Sequence, residues 1–380
     1  MQNRVLAVAG ALALAGEGMI GQAGGSELEQ AGDVYRETRF PPCRIEGLVE
    51  RPAWWKVRPR EIIEACRQVK KGRAEVIAHT PLGFPVYAVF YGECPPVSGT
   101  ANWSAGSSSD DPDAYFGKGA RKPTVVWVAG FHGAEAEGVA GSMNLLSLLE
   151  TGKDLRGRSR DSFLELASRF NLIIVPCLNM DGRAISPDHL NGVSYQDFRH
   201  VSQGSWADGT LIGWRGSKAW FPLPLERVAY PGGYPNSEGF NPMHDAEPGN
   251  IRTAEVRGLL NLVGRYGVDL LVNAHSYENA PAALPPGEER AFAVADAINR
   301  ALFEAGLRTE PVLPMSQTAR GVNFNTLVPL TSGGMAVTLE SPVSQGYTFD
   351  QLAEITYVTI EAALGAELEK SPNERQSLLH

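Results

Sequence analysis

An α/β fold, with a mixed, mostly parallel central sheet and helices on both faces, is predicted by three observations. Apolar runs of strand length alternate with stretches of helical periodicity across most of the 380 residues. The runs are continuously apolar rather than alternating, which is the pattern of strands buried on both faces. A hydrophobic content of 43% is enough to fill a large core. Helices between buried strands then cover the sheet on each side.

Taken in order, the chain opens with Arg4 ahead of the apolar stretch 5–15 and a run of small residues up to Ala23. This outline predicts a secretory signal over 1–23, placing the protein outside the cytoplasm or in a periplasm if it acts as one, and in the cytoplasm otherwise. Residues 24–74 read as an N-terminal extension, 75–370 as the catalytic domain and 371–380 as a tail. Ser98 to Lys122 is rich in Ser, Gly, Asp and Ala, and predicts a solvated insertion between two strands. Thr124 to Gly130 is a buried strand, followed by a helix over 136–149. A second strand runs from Leu172 to Leu178, and a third over 268–274. A helix over 252–266 precedes the third, and another over 288–305 follows it. The last strand covers 334–339, and a final helix spans 348–370.

Between these elements, Ser186 to Asn250 shows little periodicity but carries Trp206, Trp214 and Trp220 with His189, His200 and His244. A stretch so aromatic folds over something, and the expectation is a wall of a substrate cleft. Its three histidines lack a strand-end placement and are weak metal-ligand candidates. The net charge of −9 disfavours nucleic acid or an anionic membrane surface as a partner. No apolar run is long enough to span a bilayer. Four cysteines, Cys43, Cys66, Cys94 and Cys177, are too few for a dense disulfide framework.

Chemistry is concentrated in three short pieces: Phe131-His132-Gly133-Ala134-Glu135, Asn273-Ala274-His275-Ser276 and Thr338-Leu339-Glu340-Ser341-Pro342. Each ends or follows an apolar strand, so each delivers a polar side chain to the carboxyl edge of a sheet, where open α/β folds hold their ligands. Two imidazoles and a carboxylate with an open fourth position make a catalytic zinc site, and a further carboxylate is the base that an activated water needs. Gly130 and Gly133 permit turn conformations that other residues resist. Glu137 and Glu278 flank these pieces and are expected to be surface residues.

The order His-x-x-Glu, then Asn179-Met180-Asp181-Gly182-Arg183, then His275-Ser276-Tyr277, then Glu340, resembles the zinc metallocarboxypeptidase family known as M14. The likeness covers roughly residues 75–365, including Val76 to Tyr91, which resembles the strand-turn-strand that enters that fold. It implies one zinc ion held by His132, Glu135 and His275, with Glu340 as general base. By order along the chain it also implies Arg199 as the group that polarises the scissile carbonyl and Arg215 as the grip on a substrate carboxylate, with Tyr277 at the substrate. Guanidinium forks suit both arginine roles. Two departures stand out. Trp214, not Asn, precedes Arg215, and no tyrosine lies between Tyr277 and Tyr347, where 319–325 replaces a tyrosine-bearing loop. The resemblance implies a hydrolase that removes C-terminal residues from peptides. An N-acyl amino acid deacylase and a non-catalytic binding module of the same fold are the alternatives.

Overall fold

Nine strands and ten α-helices form among the described residues of the computed structural model, which are 38–99, 105, 108–109, 114, 122–277, 280–285, 289–308, 322–343 and 346–369. All belong to the compact unit spanning 36–380. The expected signal over 1–23, most of the 98–122 insertion, Glu278, residues 319–321 and the tail from 371 lie outside them. The strands are β1 (Arg73–His79), β2 (Pro85–Tyr91), β3 (Thr124–Ala129), β4 (Asn171–Val175), β5 (Ser205–Trp206), β6 (Val228–Tyr230), β7 (Leu270–Tyr277), β8 (Ala282–Leu284) and β9 (Met335–Pro342). The helices are α1 (Pro59–Arg67), α2 (Ala136–Thr151), α3 (Asp161–Ala167), α4 (Met180–Ala184), α5 (Tyr195–Gln203), α6 (Gly213–Ala219), α7 (Ala254–Tyr266), α8 (Glu289–Glu304), α9 (Phe324–Ser332) and α10 (Phe349–Glu369).

Seven strands build one mixed sheet in the order β1-β2-β4-β3-β7-β9-β8. The central four, β4, β3, β7 and β9, run parallel, while β1, β2 and β8 pair antiparallel at the two edges. The carboxyl ends of the four parallel strands therefore lie along one rim, and the three chemistry-bearing pieces are attached to three of them. Val126, Val128, Ile173 and Leu271 pack beneath Val256, Leu259 and Val263 of α7 and Phe324 and Val328 of α9. Trp127, one residue out of phase with Val126, points to the opposite face, where its indole N–H donates to Ser142 Oγ of α2 at 2.9 Å. The two faces are thus both covered, and each fully buried aliphatic side chain contributes roughly 1.5–3 kcal/mol relative to exposure.

Local chemistry sets the ends of α7, the helix that feeds the His275 strand. Thr253 accepts from the Val256 N–H at its start, and Asp245 in turn accepts from the N–H and hydroxyl of Thr253. Gly267, at φ +53°, ends it in the left-handed conformation. β4 ends at Val175, three residues before the predicted boundary, because Pro176 has no N–H to extend the ladder. Leu178 and Asn179 donate to Ala129 and Gly130 instead, so the chain after β4 runs beside the turn after β3. β7 and β9 run further than the sequence predicts and carry His275 and Glu340 within their final residues. The segment from Arg51 onward is fastened to the rest of this unit. Trp55 is fully buried and donates to Asp188 O at 3.0 Å, while Arg51 pairs with both Glu61 and Asp188.

Candidate metal centre and active site

The turn from β3 into α2 is held by two close approaches. Gly130 sits at φ +65°, with Cys177 so near that an added Cβ would lie 2.6 Å from its sulfur. Gly133 has an ordinary φ, and its constraint is space: a Cβ there would lie 2.1 Å from the Arg183 backbone nitrogen. The Asn179-Met180-Asp181-Gly182-Arg183 motif thus packs directly on the His132–Glu135 turn. The buried Arg183 guanidinium strengthens the junction by donating to Ala134 O and Pro187 O.

His132, Glu135 and His275 are brought together by this packing and are each at most 4% exposed. Glu135 Oε1 lies 2.8 Å from His132 Nδ1, and Glu135 Oε2 lies 2.8 Å from His275 Nδ1. The two Nδ1 atoms are 3.2 Å apart. Two neutral imidazole lone pairs cannot point at each other without a proton or a cation between them. Tetrahedral zinc with nitrogen ligands at 2.0–2.1 Å would separate its nitrogens by about 3.3 Å, so this donor set fits that ion. Among the described residues this trio is the group of His, Cys, Asp and Glu close enough to hold a metal. Burial opposes ionisation of Glu135, but the charges and hydrogen bonds of His132 and His275 outweigh it and hold the carboxyl down at about 2. Burial lowers His132, whereas Glu135 and Glu340 overcome the same burial at His275 and raise it.

A tyrosine that sequence reasoning missed completes the centre. Tyr234 stacks on His132 with ring centroids 3.7 Å apart and planes 16° from parallel. Its backbone is placed by the same motif, since Asn179 Nδ2 donates to Tyr234 O at 3.0 Å. Asp181 accepts from the Ser237 N–H and hydroxyl, and Glu255 accepts from Asn236, so two buried carboxylates pin the loop from 233 to 240. Burial, then the charges of Glu135 and Glu340, raise the Tyr234 phenol well above 10 and keep it protonated. No periodicity marks Tyr234. The legible clue is the Asn-Met-Asp-Gly-Arg motif, whose side chains need a partner segment.

The other predicted residues are placed as follows. Glu340 stands directly beside His275 across the β7–β9 pair. Arg199 lies on α5, half-buried, with its guanidinium over the Tyr195 and Phe198 rings and its charge felt by Tyr234. Tyr277 is exposed at the end of β7. Arg215 is exposed on α6, whose neighbours Trp214 and Lys218 are the residues that approach the site. The expectation that Glu137 is a surface residue is corrected: it is 1% exposed. Its oxygens accept from the Leu190 N–H at 3.0 Å and the Ser276 hydroxyl at 2.8 Å, and these bonds offset the cost of burying the carboxylate. His189 meets Val49 O and His200 faces Tyr230, both apart from the trio. His244 lies nearer, edge-on to Trp214 at 6.4 Å, with its imidazole pushed down to about 3 by burial and then by His132, Lys218 and His275.

The sequence profile described as zinc carboxypeptidase matches residues 97–335, well over half of the chain. The chain belongs to the zinc carboxypeptidase family. It is accordingly a metallopeptidase-type hydrolase of the M14 class, as the sequence resemblance implies. Solved metallo-carboxypeptidase structures share its fold. A metallo-carboxypeptidase from Burkholderia cenocepacia is 16% identical with a TM-score of 0.50, and the match covers 82% of this chain and 68% of that one. A metallo-carboxypeptidase from Pseudomonas aeruginosa, solved in complex with (2-guanidinoethylmercapto)succinic acid, is 15% identical with a TM-score of 0.50, covering 84% and 68%. No curated protein matches the chain in sequence. No helix among the described residues is long and apolar enough to cross a membrane.

Proposed function

We propose that this zinc carboxypeptidase family member hydrolyses the last amide bond of a peptide and releases its C-terminal residue, using one zinc ion held by His132, Glu135 and His275. The observation that carries the reading is the meeting of both Nδ1 atoms with the two oxygens of Glu135 at 2.8 Å, beside the strand-end Glu340. A zinc ion held there would supply acidification of water and polarisation of the scissile carbonyl. Glu340 accepts the proton of the attacking water and passes it to the departing nitrogen. Arg199 donates to the oxyanion as it develops. Tyr234, stacked on His132, fixes the plane of that ring, and a contact of this kind behind a ligand sets how well it points at its metal. Tyr277, exposed at the end of β7 two residues beyond His275, contacts the substrate in this reading.

The reading is tested by incubating the zinc-loaded protein with free peptides, C-terminally amidated peptides and N-acyl amino acids, and identifying products by mass. Loss of single residues from free peptides is expected. Cleavage confined to N-acyl amino acids would replace the peptidase reading with the deacylase one.

A further inference from the structure

α6 is a seven-residue helix with no buried residue, yet it carries a row of contacts that leads to the metal centre. Tyr234 stacks on His132, and Trp214 meets Tyr234 edge-on at 6.2 Å and His244 at 6.4 Å. Lys218, one turn further along α6, holds its ammonium 3.8 Å from the centre of the Trp214 ring. We propose that Trp214 and Lys218 form an anion-recognising rim of the cleft, where the Lys218 ammonium takes a carboxylate of the substrate against the Trp214 face; this rests on the hydrolase reading given above.

Three observations support the assignment. First, Trp214 is 44% exposed although its ring meets the buried Tyr234 and the partly buried His244, so part of its indole is open to a ligand. Second, among the described residues no carboxylate pairs with Lys218, while its charge reaches His244, which itself reaches His132 and His275. An ammonium fixed over an indole, attracted by the ring quadrupole, is held in place without its charge being neutralised. Third, burial and then the charges of His132, Lys218 and His275 push the His244 imidazole down, so this ring adds no cation between Lys218 and the ligand histidines. Arg215 is displaced by about 100° round the helix from Trp214, whereas Lys218, four positions on, returns to the same side. The carboxylate has two possible sources, a C-terminal α-carboxylate or an acidic side chain.

Calorimetry on the zinc-loaded full chain distinguishes these, with N-acetylphenylalanine, its amide, and N-acetylglutamate α-amide as probes. The parent is expected to bind at least one carboxylate probe about tenfold more tightly than the neutral amide, and which one identifies the source. Lys218→Met should bring that ratio to within about twofold, Lys218→Arg should retain most of it, and Arg215→Met should leave it unchanged. Equal binding of all three probes by the parent, an undiminished ratio in Lys218→Met, or loss of the ratio in Arg215→Met alone would overturn the assignment. Zinc content measured on each variant separates loss of the rim from loss of the centre. Because binding is read without turnover, the result stands even if no peptide is cleaved.

Discussion

His275 and Glu340 are neighbours across the parallel pair β7–β9, in direct register. Paired residues on adjacent strands project to the same face, so a histidine near the metal position and a carboxylate at the proposed base position are set side by side by sheet geometry alone. Burial lowers the His275 imidazole, and Glu135, with a smaller contribution from the Glu340 charge, overcomes it and raises the imidazole. Glu340→Gln keeps the shape and removes the base. Turnover should fall by at least about a hundredfold with zinc content unchanged. Near-normal turnover would place the base elsewhere, with the buried Glu137, bonded to Ser276 beside His275, the next carboxylate to test.

Tyr234 and His132 form a stack, and its effect on the ligand is separable from any role of the phenol hydroxyl. Tyr234→Ala removes the ring that fixes His132, and zinc affinity should weaken roughly tenfold. Tyr234→Phe keeps the ring and should retain the metal. Competition with a chelator reads both. Equal affinity in the Ala variant and the parent would mean the stack does not position the ligand.

The central strands and four of the ten α-helices were legible because their signal is local: β3, α2, α7, α8 and α10 lie within a few residues of the expected ranges. The ligand trio was legible for the same reason, each member being tied to a strand end. Tyr234 and the burial of Glu137 were not. Tyr234 is placed by Asn179 and Asp181 from about 50 residues away, and Glu137 by Leu190 and Ser276, so their environments arise only when distant segments meet. The reading of Gly133 as a flexible turn residue also missed its cause, which is the nearness of Arg183.

Gly133→Ala tests that junction. An added methyl has no room at 2.1 Å from backbone, so either the His132–Glu135 turn or the start of α4 must shift. The expected result is a loss of at least about 1–3 kcal/mol of stability in denaturant titration, with reduced zinc retention. A variant as stable as the parent would show that the turn can open at no cost.

Glu255 provides a pH signature. Burial, with a contribution from the Asp181 and Glu238 charges, raises its carboxyl from 4.5 to about 7 in the folded chain. The folded state therefore holds a proton that the unfolded state releases, so this stabilising contribution is full below about 4.5 and is lost as pH rises through about 7. The loss is on the order of 3 kcal/mol. Glu255→Gln preserves the oxygen that accepts from Asn236 and cannot ionise. Its melting temperature should fall less than the parent's between pH 5.5 and 8.5. Parallel pH curves for the two proteins would remove Glu255 as the source.

Whether His132, Glu135 and His275 hold the catalytic zinc is read by anomalous diffraction at the zinc absorption edge from crystals of the zinc-loaded protein. One strong peak is expected among His132 Nδ1, His275 Nδ1 and the Glu135 carboxylate, and it should disappear in His132→Ala and His275→Ala. A peak at other residues, or a full-strength peak surviving in both variants, would contradict the assignment.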